Sequence, residues 1–291
     1  MSDGDQVGGF APDAEQMRSE SVLWDAPIFV VSAGRSGSTH VANILDSHPD
    51  VALTHESNIA HYLNLTHRLS YLPLWNVHEV AGFRMTGLIP DVYAPVFAET
   101  CKDALLYAWR EFYRRQFSGA AFVRWGDKFQ FPEVVPDLVR LFPKARFVLV
   151  VRDGRDSARS ALLHLDRYRA EQNPDAPSMS FDEHCSYWAR INQQLLAGLE
   201  PAAHVLRVRY EDLVTNEDQT VQQLLAFCEL ADHATVQHFL REGSKRRFEK
   251  HGTSRDPAAS IGRWRTELSP EQRATAERLQ RDVLDLLGYR D

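Results

Sequence analysis

Between Ser32 and Thr39 the chain reads Ser-Ala-Gly-Arg-Ser-Gly-Ser-Thr, a turn built of glycine, hydroxyl and one guanidinium. Gly34 and Gly37 let a backbone approach an anion with no Cβ in the way. Arg35 adds a positive charge, and Ser36, Ser38 and Thr39 add hydroxyl donors. An apolar run, Ile28 to Val31, leads in, and an amphipathic stretch with Val41, Ile44 and Leu45 on one face leads out. That order is strand, loop, helix, and the free N–H groups at such a helix start suit a phosphate. Ser38 stands where a Walker A loop has its lysine, so the cradle lacks the usual ATP-binding ammonium.

A second anion signal lies at Val150 to Ser160. An apolar strand ends in Arg152, and a helix opens with Asp153 and Asp156 in its first turn. Ser160 falls about two turns into that helix, where it and the Arg152 fork can converge on a second phosphate. By itself the segment reads more readily as a solvated charged helix start, with the aspartates serving the dipole and the arginines pairing with them. Beside the first cradle it reads as its partner.

Four apolar runs, Ile28–Ser32, Val51–Thr54, Arg146–Val151 and His204–Val208, predict buried parallel strands, with Phe122–Trp125 a fainter fifth. Helical spacing falls at Glu99–Phe117, Pro132–Phe142, Phe181–Leu199 and Glu217–Cys228. Strands alternating with helices imply an α/β fold whose parallel sheet is covered on both faces. Ligands in such sheets sit beyond the C-terminal strand ends, where these unusual residues cluster.

The chain has 291 residues, 44% of them hydrophobic, and a net charge of -7, enough apolar material for a sizeable core and the wrong balance for a general nucleic-acid binder. Cys101, Cys185 and Cys228 are scattered and read as thiols in a reducing compartment. Residues 1–24 are expected to form a flexible, polar start without signal-peptide character, and no run is apolar enough to span a membrane, so a cytoplasmic location is expected. His55, His61 and His67 recur every six residues, about 600° apart on a helix, which gives no shared metal-binding face.

At the two anion signals the chain resembles the sulfotransferases that use 3′-phosphoadenosine 5′-phosphosulfate (PAPS), with the tyrosylprotein and related bacterial branch most similar. The resemblance covers residues 27–60 and 120–265. It implies a P-loop-NTPase-like three-layer sandwich with a central parallel sheet of four to five strands. It makes residues 25–291 one domain, with 62–118 a variable acceptor-side insertion and 241–265 a nucleotide-covering loop. It implies PAPS as donor, its bisphosphate PAP as product, and no metal. Arg35, Ser36, Gly37, Ser38 and Thr39 then hold the 5′-phosphosulfate, and Arg152 and Ser160 the 3′-phosphate. Glu56 is similar to the branch's proton acceptor, with His55 the rival base. Lys128 resembles the lysine at the leaving oxygen, and Tyr210 the tyrosine at the nucleotide. Ser260, Gly262 and Arg263 resemble the covering loop, with Lys245, Arg246, Arg247 and Lys250 upstream. Two positions depart from the pattern: Gly262 replaces a serine, and His164 replaces a second phosphate-binding arginine.

The reaction expected is in-line transfer of a sulfuryl group to a hydroxyl acceptor. A small molecule ranks above a polyanionic glycan because no extended basic groove is apparent. Aromatics between Tyr62 and Tyr93 are candidates for its pocket. An ATP-dependent small-molecule kinase and a non-catalytic nucleotide-binding module are the alternatives.

Overall fold

Strand β1, Ile28–Ser32, is buried along its whole length because it lies at the middle of the sheet. Its side chains alternate between two cores, Phe29 and Val31 facing one, Ile28 and Val30 the other. The computed structural model describes residues 22–57, 94–118, 120–171, 173, 175, 178–243 and 257–289. Strands β2 (Val51–His55), β3 (Arg124–Phe129), β4 (Arg146–Val151) and β5 (Val205–Arg209) complete a parallel sheet in the order β2-β3-β1-β4-β5. From β1 the order runs one way to β3 and the other way to β4. Such a reversal opens a crevice at the C-terminal strand ends.

Helices follow as α1 (Ser38–Asp46), α2 (Ala94–Gln116), α3 (Val135–Leu141), α4 (Gly154–Glu171) and α5 (Phe181–Leu199), then α6 (Tyr210–Thr215), α7 (Glu217–Phe227), α8 (Ala234–His238), α9 (Trp264–Glu267) and α10 (Pro270–Leu287). On one face, Trp109 of α2, Leu138 of α3, Trp188 of α5 and Leu284 of α10 close over Phe29, Trp125 and Phe147. On the other, Ile44 and Leu45 of α1 and Leu224 of α7 cover Ile28, Val30 and Val148. The result is the expected three-layer α/β sandwich.

Two strand expectations are corrected, and one helix is added to those expected. The faint strand at Phe122–Trp125 is in fact β3, running Arg124–Phe129 with all its residues buried. Gly126, Asp127 and Lys128 break the apolar pattern, and partners distant in sequence satisfy their polar groups. The last strand lies one residue later than expected, and its exposed edge position dilutes the apolar signal. The terminal helix α10 was not foreseen, although Ser269 and Gln272 form a capping box and Pro270 occupies its first turn. The aromatics at 62–93 and the basic residues Lys245, Arg246, Arg247 and Lys250 lie outside the described residues, as do His61 and His67. No described helix is long and apolar enough to cross a membrane.

Gly126 is where the sheet is tightest. A Cβ there would lie 2.0 Å from the carbonyl oxygen of Ile28, its register partner on β1. Backbone cannot yield as a side chain can, so Gly126→Ala should cost about 3 kcal/mol or more, read as a fall in the denaturant midpoint.

Candidate functional site

The loop between β1 and α1 is held open by backbone geometry. Arg35 and Gly37 both have positive φ, 63° and 89°. For Arg35 that costs about 1 kcal/mol, a strain seen mostly at ligand sites. At Gly37 a Cβ would lie 2.6 Å from Cδ2 of Tyr210, so only glycine lets the loop lean on that ring. Ser32 donates to Ser38 at 2.8 Å and fixes the helix start. Ser36 is buried, and its hydroxyl has no hydrogen-bond partner among the described residues. Thr39 is exposed on the first turn of α1.

Arg152 leaves the end of β4 into this loop. It is 6% exposed, and it donates to the carbonyl of Arg35 at 3.3 Å and to the carbonyl and hydroxyl of Ser260 at 2.9 and 3.1 Å. Its guanidinium lies 4.3 Å from the centre of the Tyr210 ring, and the Tyr210 and Ser260 hydroxyls are 3.0 Å apart. Its Nε is buried without a partner among the described residues. Arg35 reaches the hydroxyl of buried Ser160 at 3.4 Å. Burial first, and then the charge of Arg152, lower the pKa of Arg35. Two guanidiniums that repel each other, with orphaned donors beside them, fit a ligand bearing more than one anionic group.

Residues 262–264 are anchored by Asp156 of α4, which accepts the N–H of Gly262 at 2.6 Å and of Trp264 at 2.9 Å. Arg263 turns away into a two-pronged pair with Glu267, at 2.7 and 2.9 Å. His164 lies one turn beyond Ser160. Partial desolvation, and then the charges of Arg35 and Arg167, lower its pKa.

Next to the loop lies an ion pair. Lys128 of β3 donates to Glu56 at 2.5 Å; the lysine side chain is 4% exposed and the carboxylate 49%. Glu56 follows β2 with φ 54°, and its N–H binds the carbonyl of Lys128 at 2.7 Å. Gln130 also donates to Glu56, at 3.3 Å, and its Oε1 would lie 3.4 Å from a Cβ on Gly34. The anion loop, Gln130, Glu56 and Lys128 are thus contiguous. His55, the rival base, is exposed at the end of β2, in register with Lys128.

Sequence reasoning missed Gln130, although period two carried through Lys128 places it on the same side of the strand. It missed Arg167, which sits at i+7 from Ser160 and so shares a face of α4 with it and His164. Tyr187 of α5 would stand 4.0 Å from a Cβ on Gly34; no local pattern announces it. Among the described residues no three His, Cys, Asp or Glu side chains group as metal ligands would.

The model of the Sulfotransferase family matches residues 27–234. The chain belongs to the sulfotransferase family. Protein-tyrosine sulfotransferase 1 of Danio rerio is 26% identical over 212 residues, which is 72% of this chain and 55% of that protein. The human protein of the same name is 28% identical over 135 residues, 46% of this chain and 33% of its own length. The chain thus spans about half, or less, of these relatives. Among solved structures, the sulfotransferase domain from the curacin biosynthetic pathway covers 87% of this chain and 97% of itself, with TM-score 0.54 and 18% identity. A mouse sulfotransferase complexed with PAP also has TM-score 0.54, with 13% identity, covering 90% of this chain and 84% of itself. At those identities the likeness is one of fold. This sulfotransferase fold thus agrees with the architecture expected from the strand and helix pattern.

Burial pushes the Asp156 carboxyl up to about 6 from an ordinary 3.8. The folded protein therefore holds this proton at pH values where the unfolded chain has lost it, and stability from this group falls as pH rises from about 4 to 6. Relative to Asp156→Asn, the wild type should gain up to about 3 kcal/mol between pH 7 and pH 4. Thermal unfolding of both across that range checks this; a gap independent of pH would show that Asp156 does not titrate there.

Proposed function

We propose that this chain transfers a sulfuryl group from PAPS to a hydroxyl acceptor. One observation carries the reading: a carboxylate and a buried ammonium, Glu56 and Lys128, meet beside an anion loop where the Ser36 hydroxyl and the neighbouring Arg152 Nε have no partner among the described residues. Arg35, Ser36, Gly37, Ser38 and Thr39 would hold the 5′-phosphosulfate. Arg152 and Ser160 would hold the 3′-phosphate, with His164 at its rim. Tyr210, Ser260 and Gly262 would border the nucleotide; Arg263 would join them only by leaving Glu267. PAPS supplies the activated sulfuryl group and leaves as PAP. Glu56 takes the proton of the attacking hydroxyl, and Lys128 meets the negative charge that grows on the leaving oxygen. No metal is assigned a role.

The chain works as one domain from residue 25 onward in this proposal, with 62–118 on the acceptor side and 241–265 over the nucleotide. A cytoplasmic setting belongs to the same reading; Cys185 and Cys228 are free and buried, which accords with it. A small hydroxyl compound remains the preferred acceptor. Phenols head the screen because the named relatives act on tyrosine, and a tyrosine-containing peptide is the control.

The test begins with calorimetric titration of PAP and of ATP–magnesium. PAP should bind, Arg152→Ala should weaken it at least tenfold, and ATP–magnesium should not compete. Binding of ATP with no response to PAP would replace this reading by the kinase. Glu56→Gln should lower kcat about 10²- to 10⁴-fold with PAP affinity unchanged, whereas His55→Ala should stay active. Because Lys128 is buried, Glu56→Ala should also destabilise the fold, by about 1–3 kcal/mol, which makes the glutamine variant the cleaner one.

A further inference from the structure

Glu56 occupies a backbone conformation that glutamate does not choose freely, φ 54°, and its side chain is half exposed. Something must hold it there. Its own N–H is fixed on the Lys128 carbonyl, but that bond leaves the turn beyond it undetermined. Two residues that flank Glu56, one two positions before it and one directly after it, bind the same group. Thr54 donates to Asp127 Oδ1 at 3.0 Å, the Ser57 hydroxyl donates to Oδ2 at 2.6 Å, and the Ser57 N–H lies 3.4 Å from Oδ1. Asp127 is 1% exposed. It adjoins Lys128 on β3, and adjacent strand residues point to opposite faces. Thr54 and Ser57 are therefore drawn to one side of the sheet while Glu56 between them is delivered to Lys128 on the other.

We infer that Asp127 is a positioning residue, whose carboxylate staples Thr54 and Ser57 and thereby sets Glu56 against Lys128. The inference rests on the roles given to Glu56 and Lys128 above. Its carboxylate pairs with neither side chain and meets Lys128 only at the backbone N–H. The cluster extends to α2: the Tyr113 hydroxyl lies 3.0 Å from that of Thr54 and donates to the carbonyl of Gly126. The same carboxylate therefore organises the chain just before residues 58–93 and, through Thr54, the helix that follows them.

The chemistry of the staple separates positioning from mere support. Burial pushes the Asp127 carboxyl up to about 6, so its ionised form is held at a cost in the folded protein. Asn keeps one acceptor oxygen and loses the charge. At pH 7.5 Asp127→Asn should match or exceed the wild-type Tm, yet kcat should fall roughly 10- to 100-fold because Glu56 is no longer aimed. PAP affinity, read by titration, should stay within about twofold. Ser57→Ala should give a smaller fall, and the double variant should be no slower than Asp127→Asn alone, since both cut the same tie. An Asp127→Asn enzyme with wild-type kcat overturns the inference. If that variant does not fold, Ser57→Ala decides, and an unchanged kcat there also overturns it. Failure of the underlying reading shows differently, as full activity in Glu56→Gln.

Discussion

Arg152 is the group on which the site depends. Its guanidinium has left water almost entirely and is met by carbonyl and hydroxyl oxygens of Arg35 and Ser260 and by the Tyr210 ring. These contacts solvate the charge without cancelling it. The arginine thus draws three separate stretches of chain together, namely the loop after β1, the start of α6 and the segment before α9. It also leaves an excess positive potential where they meet. Arg35 feels that excess, and an incoming anion relieves it. Folding and electrostatics share one residue here: the charge that organises these walls is also the one that keeps them positive.

The sheet explains why so few residues suffice. In a parallel sheet all strands end on the same side, so β1, β2, β3 and β4 deliver the loop, Glu56, Lys128 and Arg152 to one rim without long excursions. Strand alternation then sorts neighbours. Lys128 serves the rim while Asp127, its immediate neighbour, serves the layer beneath α2. The rim on one face rests on a small polar core on the other, in which Thr54 and Ser57 find the same carboxylate.

Legibility from sequence followed the locality of the interactions. The loop from Ser32 to Thr39 and the Arg152–Ser160 segment were readable because strand, turn and helix each leave a short pattern there. The bounds of β1 and β4 follow for the same reason. Strand β3 was half lost, because Gly126-Asp127-Lys128 looks like a turn until Thr54, Ser57 and Glu56 are placed beside it. Arg263 matched a binding position by its place in the chain, but Glu267 one turn later captures it. Gln130 and Tyr187 reach Gly34 across the fold, over separations that no window along the chain spans. The contacts that set the side chains of this rim are nearly all of this distant kind.

Helix α10 supplies the last of them. Gln280 binds the carbonyl of Gly154 at 3.0 Å, Glu277 pairs with Arg155 at 2.7 Å, and the Tyr289 hydroxyl binds Glu211, which in turn receives the N–H of Asp153. The N-terminal turn of α4, which carries Asp156, is therefore braced by residues more than a hundred positions later. During synthesis the glycine-rich loop leaves the ribosome early and waits, unfinished, until residue 289 has followed. A nascent chain has the loop long before it has the brace around Arg152, so the walls around that arginine are completed together and late.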